Sequence, residues 1–361
     1  MKFSLLVFLV LGRALSLTAQ NRDFDRIARS LTDDQLLSPL RYLASDKLRG
    51  RHIALPEIDT AAAYIADQFR NAGAKPLPGD SGYYQIFNHQ FTPLERDRMD
   101  KQVASKITFS TLRGVVLKNI LAFMPGTDPR LRNQYIILSA HYDHVGVADS
   151  TIMENGKIDS IFNGARDNAT GTAAVIGAAR YFARYPPKRS VLFICYSAEE
   201  EGEIGSKYYA QHPLIPLDRT VCNLNVDNAG YNTTHAICLF GLGRTSVDSL
   251  VQKACMIYGL TVLPEPDGQD LFSRSDNYVL ARKGIPAPNF SLGMTVWDKA
   301  IENRYHRLSD EVENMDLDYV VKFIRAYILS AQYIANDHFQ PKWTEGDPYE
   351  KDWQTLFGKT Q

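Results

Sequence analysis

The chain reads as an α/β protein organised on a parallel sheet. Residues 134–140 (QYIILSA) and 191–196 (VLFICY) are short, continuously apolar runs, the pattern of strands buried on both faces. Between them lie a polar loop and a helix of small residues that ends at Pro186-Pro187. Strand, loop, helix and strand make a βαβ unit, whose two strands run parallel. A third run, 221–226, repeats the apolar pattern further on.

The length of 361 residues allows one large domain or two ordinary ones. No composition shift marks a boundary, so a single domain is expected over about 24–340, with a C-terminal tail at 341–361. A formal net charge of -1 and the lack of a long basic cluster argue against nucleic acid as a partner. Lys2 precedes an apolar run at 3–11, which is followed by Ser16, Thr18 and Ala19. This reads as a secretory signal peptide over 1–19, too short for a membrane span, and implies a secreted or periplasmic location. No other run is long enough to cross a bilayer, so no stable span is expected once the signal is removed. Four cysteines in so long a chain do not make a disulfide scaffold; Cys195 reads as a core residue, and one bridge among the others stays open.

The elements follow in order. Thr32 to Gln35 forms a capping box that opens a helix running toward Ala44. An alanine-rich helix over 59–70 ends near Gly73. Residues 74–85 are rich in Gly and Pro and read as loop, and strands are expected at 107–112 and 115–124. Residues 147–163 read as a polar loop. Strands follow at 221–226, 237–240 and 287–292, and helices at 246–258 and 316–336. The segment beyond His338 shows no clear periodicity.

Three strands end in groups that bind divalent cations: His141 and Asp143, Glu199 and Glu200, and Asp227. Asp167 opens the helix between the first two, and His306 lies in a late loop. Each has a structural alternative, such as a helix cap for Asp167 or a solvated helix start for the carboxylates of 199–201. Position argues for a site instead. Carboxyl ends of parallel strands share one edge, so these side chains converge on one crevice. Buried carboxylates there repel one another unless cations neutralise them. Two imidazoles and several carboxylates without thiolate suit a pair of divalent ions, and a further carboxylate is needed to take a proton from water. An HExxH helix, a GxSxG elbow and a phosphate-binding glycine loop are all missing from the sequence.

These residues carry a resemblance. AHYDHVG at 140–146, NGARDNATG at 163–171, SAEEEGEIGS at 197–206, NLNVDNAG at 223–230, SDN at 275–277, GIP at 284–286 and YHRLSD at 305–310 occur in one order. Together with LASDKLRGR at 43–51 and KNILAFMPGTDP at 118–129, they make the chain similar to the secreted two-zinc aminopeptidases. That family also includes glutamate-carboxypeptidase-like ectodomains and glutaminyl cyclases. The resemblance implies a single α/β domain with a mixed, mostly parallel central sheet and helices on both faces, the zinc-peptidase/phosphorylase-like architecture.

It also implies roles. His141 and Asp227 would each hold one Zn2+, Glu200 and His306 the other, and Asp167 would bridge both and precede a cis peptide to Asn168. Glu199 would be the general base, and Asp143 would orient His141 from behind. Glu201 is expected at the surface, and His144 is expected to line the pocket. The expected partners are peptide substrates with a free N-terminus. Two positions depart from the pattern: Arg166 stands where an acidic or small residue is expected, and Asn277 where His is common. Asn168-Ala169-Thr170 is formally a glycosylation sequon and reads as structural; Asn232-Thr233-Thr234 is another. The alternatives are a single-zinc glutaminyl-cyclase-like acyltransferase, a carboxypeptidase or dipeptidase, and a non-catalytic binding ectodomain. A carboxypeptidase or dipeptidase needs a cation for the substrate carboxylate, with Arg166, Arg274 and Arg304 as candidates.

Overall fold

The computed structural model describes residues 26–77, 82–93, 95, 113–154, 157–229 and 233–358. The signal-peptide reading at 1–19, the strand expected at 107–112 and Asn232 lie outside the described residues.

All seven residues of the strand Ser190–Tyr196 are buried, and they alternate between two cores. Val191, Phe193 and Cys195 join one hydrophobic cluster, while Leu192, Ile194 and Tyr196 join the other. Successive side chains of a strand point to opposite faces, so a strand covered on both sides is apolar at every position.

In chain order the strands are β1 (Tyr84–Gln90), β2 (Gly114–Met124), β3 (Tyr135–His141), β4 (Val147–Glu154), β5 (Lys157–Ile161), β6 (Ser190–Tyr196), β7 (Thr220–Val226), β8 (Ala236–Phe240), β9 (Thr261–Leu263) and β10 (Asn289–Leu292). Eight of them form one sheet in the order β1-β2-β6-β3-β7-β10-β8-β9. The central strands β6, β3, β7 and β10 are parallel to one another. β1 and β2 run antiparallel at one side, and β8 runs antiparallel to β10 at the other. The fold is thus the single α/β domain with a mixed, mostly parallel sheet that the sequence implies.

One face is covered by the helices Asp33–Leu43, Glu57–Ala72, Thr170–Arg184, Asp248–Ile257 and Leu317–Asn336, which bury Leu40, Ile65, Ile176, Val251 and Ile324 respectively. The other face carries Ile204–Gln211 and Asp276–Ala281, which bury Tyr209 and Leu280. Local signals set the helix ends. The Thr32 hydroxyl accepts from Gln35 N and the Gln35 side chain accepts from Thr32 N, a complete capping box. Asp316 caps the longest helix by accepting from Tyr319 N. Gly73 closes the second helix at φ 83°, a conformation glycine adopts without steric cost.

Two expectations need correction, and two points left open by the sequence are answered. Residues 147–161 are not plain loop: β4 and β5 pair as an antiparallel hairpin, hidden from a hydrophobicity reading because polar and apolar residues do not alternate regularly along them. The partner of β2 within the described residues is β1, which begins inside the stretch read as loop. The segment beyond 338 is ordered onto the domain: Trp343 is 2% exposed and donates to Gly284 O, and a helix spans Glu350–Phe357. All four cysteines are buried and free. No helix among the described residues is long and apolar enough to cross a membrane.

Candidate metal centre

The parallel strands deliver the site. His141 is the last residue of β3, Asp227 directly follows β7, and Glu199 and Glu200 lie just beyond β6. Parallel alignment puts these ends on one edge of the sheet. Asp167 arrives from the turn before the helix Thr170–Arg184, and His306 from the loop after the short helix Lys299–Glu302.

Asp167 stands in the middle. Its Oδ1 lies 3.2 Å from His141 Nε2, and its Oδ2 lies 3.1 Å from His306 Nε2. His141 Nε2 is also 3.2 Å from Asp227 Oδ1, and His306 Nε2 is 3.1 Å from Glu200 Oε2. Two clusters therefore share one carboxylate. Ligand atoms of His141, Asp167 and Asp227 all lie within 4.8 Å of one another, as do those of His144, Asp167, Glu200 and His306, and those of His141, Glu199 and Glu200.

The electrostatics show what the arrangement requires. Burial pushes the Asp167 carboxyl up, but hydrogen bonds from His141 and His306 outweigh it and hold the group well below the usual range. Burial likewise opposes ionisation of Glu200, yet the nearby His306 and His144 bring it down to about 2. Burial disfavours the charged imidazole of His306, while Glu200 and Asp167 raise it to about 10. His141 is raised well above its ordinary value, burial being overcome by Asp227, Glu199 and Asp167. Protons on the imidazoles thus occupy the role of cations among the carboxylates. A divalent ion meets the same need, and its binding displaces those protons. Imidazole nitrogen and carboxylate oxygen without thiolate form a donor set that fits zinc.

Glu199 differs from its neighbour. Its carboxyl is raised well above the ordinary value, chiefly by burial and further by Asp227, Glu200 and Asp276, with His141 opposing. Among the described residues it has no imidazole within ion-pair distance, unlike Glu200.

Surrounding groups fix the ligand backbone. Asp143 accepts from the amides of both Glu199 and Glu200 at 3.2 Å. Its carboxylate is 3.9 Å from His141 Nδ1, which lies closer to the Asp143 carbonyl at 3.3 Å. Asp143 therefore anchors the turn that carries both glutamates. Thr172 donates to His141 O, and Ser291 donates to Asp227 O. Asn168 donates to Val226 O and accepts from Gly171 N, tying the Asp167 turn to the end of β7. The Asp167–Asn168 peptide is cis, as the resemblance implies, and the fully buried Asn168 amide is committed to these bonds.

The structure also corrects or extends the reading of individual residues. Glu201 is not at the surface: it is 3% exposed, with Oε1 3.0 Å from Nε2 of the buried His52. Nothing in a run of three glutamates announces this, because His52 comes from a distant part of the chain. Arg166 is no substrate-binding cation. It is buried and paired to Asp310 at 3.1 Å, and Asp310 also accepts from the amides of Arg166 and Asp167. Arg304 donates to Ser309 O. Asn277 donates to Phe272 O and Ala287 O. His144 does more than line a pocket, since its Nδ1 lies 2.8 Å from Glu200 Oε1. Its signal was present in the HYDH motif, as was that of Asp310 at the end of YHRLSD. Arg51, at the end of the 43–51 motif, is fully buried and donates to Tyr142 O, Leu43 O, Asn163 O and Gly164 O. It clamps the segments that carry His141 and Asp167.

A mixed sheet with imidazoles and carboxylates gathered at the carboxyl edge defines the class as a zinc-peptidase fold. Residues 119–330, which span every candidate ligand, match the model of peptidase family M28, and the chain belongs to this family of zinc peptidases. A relative described as a probable zinc metalloprotease from Pyrenophora teres f. teres is 33% identical over 134 residues, covering 37% of this chain and 25% of that protein. The chain spans about a quarter of the length of the curated relatives it matches. Among solved structures, an aminopeptidase from Aneurinibacillus sp. strain AM-1 superposes with a TM-score of 0.61 at 15% identity, covering 87% of this chain and 97% of the other. A glutaminyl cyclase from Porphyromonas gingivalis gives 0.60 at 13% identity, covering 83% and 98%. At such identities the likeness establishes the fold alone.

Proposed function

We propose that the chain is a secreted or periplasmic aminopeptidase that uses two zinc ions to remove N-terminal residues from peptides. The observation that carries this reading is the division of Asp167 between two donor sets, Oδ1 toward His141 and Oδ2 toward His306. His141 and Asp227 would hold one ion, Glu200 and His306 the other, and Asp167 both. Bound there, the ions would polarise the scissile carbonyl and acidify a shared water.

The protein's own groups do the rest. Glu199 lies in the same cluster as His141 and Glu200 but makes no ion pair with an imidazole among the described residues. It takes the proton from the attacking water and returns it to the leaving amine. A carboxyl whose proton affinity is raised by burial suits both halves of that transfer. Asp143 holds the amides of Glu199 and Glu200 and so sets the aim of both side chains. The apolar run at 3–11 supports the location.

The test is metal content of the purified chain together with hydrolysis of aminoacyl chromogenic substrates before and after chelation. About two zinc per chain, with activity lost to chelator and restored by zinc, is the expected result. One retained zinc without amide hydrolysis favours the cyclase-like chemistry, and no metal at all favours a binding ectodomain.

A further inference from the structure

A cleft opens beside Asp227. Its floor is apolar: Leu292, Met294 and Ile301 line it and are each at most 3% exposed. Its polar groups are unlike that floor. Arg274 lines the cleft, is solvent-exposed, and makes no ion pair among the described residues. Its guanidinium lies 5.8 Å from the ring centre of Trp297, a further lining residue, which holds the charge at the cleft wall. Of the three arginines left open by the sequence, Arg166 is committed to Asp310 and Arg304 to Ser309 O, so Arg274 alone faces this cleft.

A second observation comes from deeper in. Asn289 lines the cleft and is 1% exposed. Its Oδ1 accepts from Asn225, while its Nδ2 has no hydrogen-bond partner among the described residues. A buried amide donor left unpaired is costly, and a ligand acceptor removes the cost. Ser275 beside it accepts from Asn225 Nδ2, which leaves its own O–H free to donate. The polar inventory of the cleft away from the metal ligand Asp227 is therefore weighted toward donors and one cation.

We infer that this cleft selects substrates bearing a carboxylate, with Arg274 as the specificity-determining residue and Asn289 as a supporting donor. The inference rests on the aminopeptidase reading above. Two sources offer the same chemistry. One is the side chain of an acidic first residue, whose methylenes pack on the apolar floor while its carboxylate meets Arg274. The other is the free C-terminal carboxylate of a dipeptide. A guanidinium–carboxylate contact is charge-assisted, so a neutral amide of the same shape is the discriminating control.

The experiment uses the zinc-loaded full chain, its Arg274→Met and Arg274→Lys variants, and two substrate pairs. The first pair is glutamyl against glutaminyl chromogenic amides; the second is Leu-Leu against Leu-Leu-amide. The expected result is at least about a tenfold preference in kcat/KM for the carboxylate member of one pair, lost in Arg274→Met and partly kept in Arg274→Lys. The pair that shows the preference identifies the source. Calorimetric binding of free glutamate against glutamine, and of Leu-Leu against its amide, gives a readout that needs no turnover. If no aminoacyl substrate is cleaved, the aminopeptidase reading fails, and the binding ratios still decide this one. Equal values within both pairs, or ratios unchanged in Arg274→Met, overturn the inference.

Discussion

Oδ2 of Asp167 lies 3.1 Å from Nε2 of His306, across 139 residues of chain. The other oxygen of the same carboxylate serves His141, so Asp167 joins one donor set that includes Asp227 to another that includes Glu200. Replacing it with Asn removes the charge that both sets share. Asp167→Asn is expected to retain well under one zinc per chain after dialysis, measured by elemental analysis. A variant that still holds two ions overturns the bridging role.

Glu199→Gln separates chemistry from metal binding. The amide keeps the shape but accepts no proton at that position. Zinc content is expected to stay near that of the parent, with kcat reduced at least about a hundredfold. Unchanged turnover moves the base elsewhere.

Gly171 tests the support of the site without touching a ligand. A Cβ there would run into the Asn168 amide oxygen and approach Val226 O to 2.7 Å. Those atoms connect the Asp167 turn to the strand end that carries Asp227. Gly171→Ala is expected to cost roughly 1–3 kcal/mol in denaturant unfolding and to weaken zinc retention in a chelator competition. Full stability and normal retention would show that the turn has room to shift.

The buried contact between His52 and Glu201 lends itself to a double-mutant cycle. Either single change, His52→Leu or Glu201→Leu, removes the contact between these two buried groups, at a cost of about 2 kcal/mol. The double variant should lose less than the sum, with a coupling of about 1 kcal/mol or more in urea unfolding. Additive losses would mean that the two side chains meet without stabilising each other.

Arg166 and Asp310 are unequal partners. Asp310 accepts from the Arg166 side chain and from two backbone amides, so its loss strands more groups than the loss of Arg166 does. Asp310→Ala is expected to destabilise by about 3 kcal/mol or more. Arg166→Met leaves the two amide donors in place and should cost distinctly less. The reverse order in thermal unfolding would assign the main stabilisation to the guanidinium.

Legibility in the sequence followed the physics of each feature. Strand β6 declared itself because it is buried on both faces and its residues from Val191 to Tyr196 are all apolar. The capping box at Thr32 and the αL glycine at Gly73 are local devices, readable from a few neighbouring residues. The convergence of His141, Glu199, Glu200 and Asp227 was readable because parallel strand ends share an edge, whereas the division of roles, with Asp167 and His306 in it, was implied by the resemblance. The hairpin β4–β5 was missed because its strands mix polar and apolar residues without regular alternation, although the sequence carries a turn signal between them in Asn155-Gly156. The helix Glu350–Phe357 was missed for a related reason, since it buries only Phe357.

What the linear chain settled is the identity and spacing of the chemical groups: two imidazoles and the carboxylates at strand ends. Which of these groups meet was decided by the folded arrangement. Glu199, Glu200 and Glu201 are neighbours of one type, yet among the described residues one makes no ion pair with an imidazole, one contacts His144 and His306, and one is buried against His52. Likewise, three arginines of equal charge end in three surroundings, one paired to Asp310, one bonded to a backbone carbonyl and one facing the cleft. The reason is physical. A charged group takes its role from the partners and the burial around it, and those come from segments that only folding brings within a few ångströms.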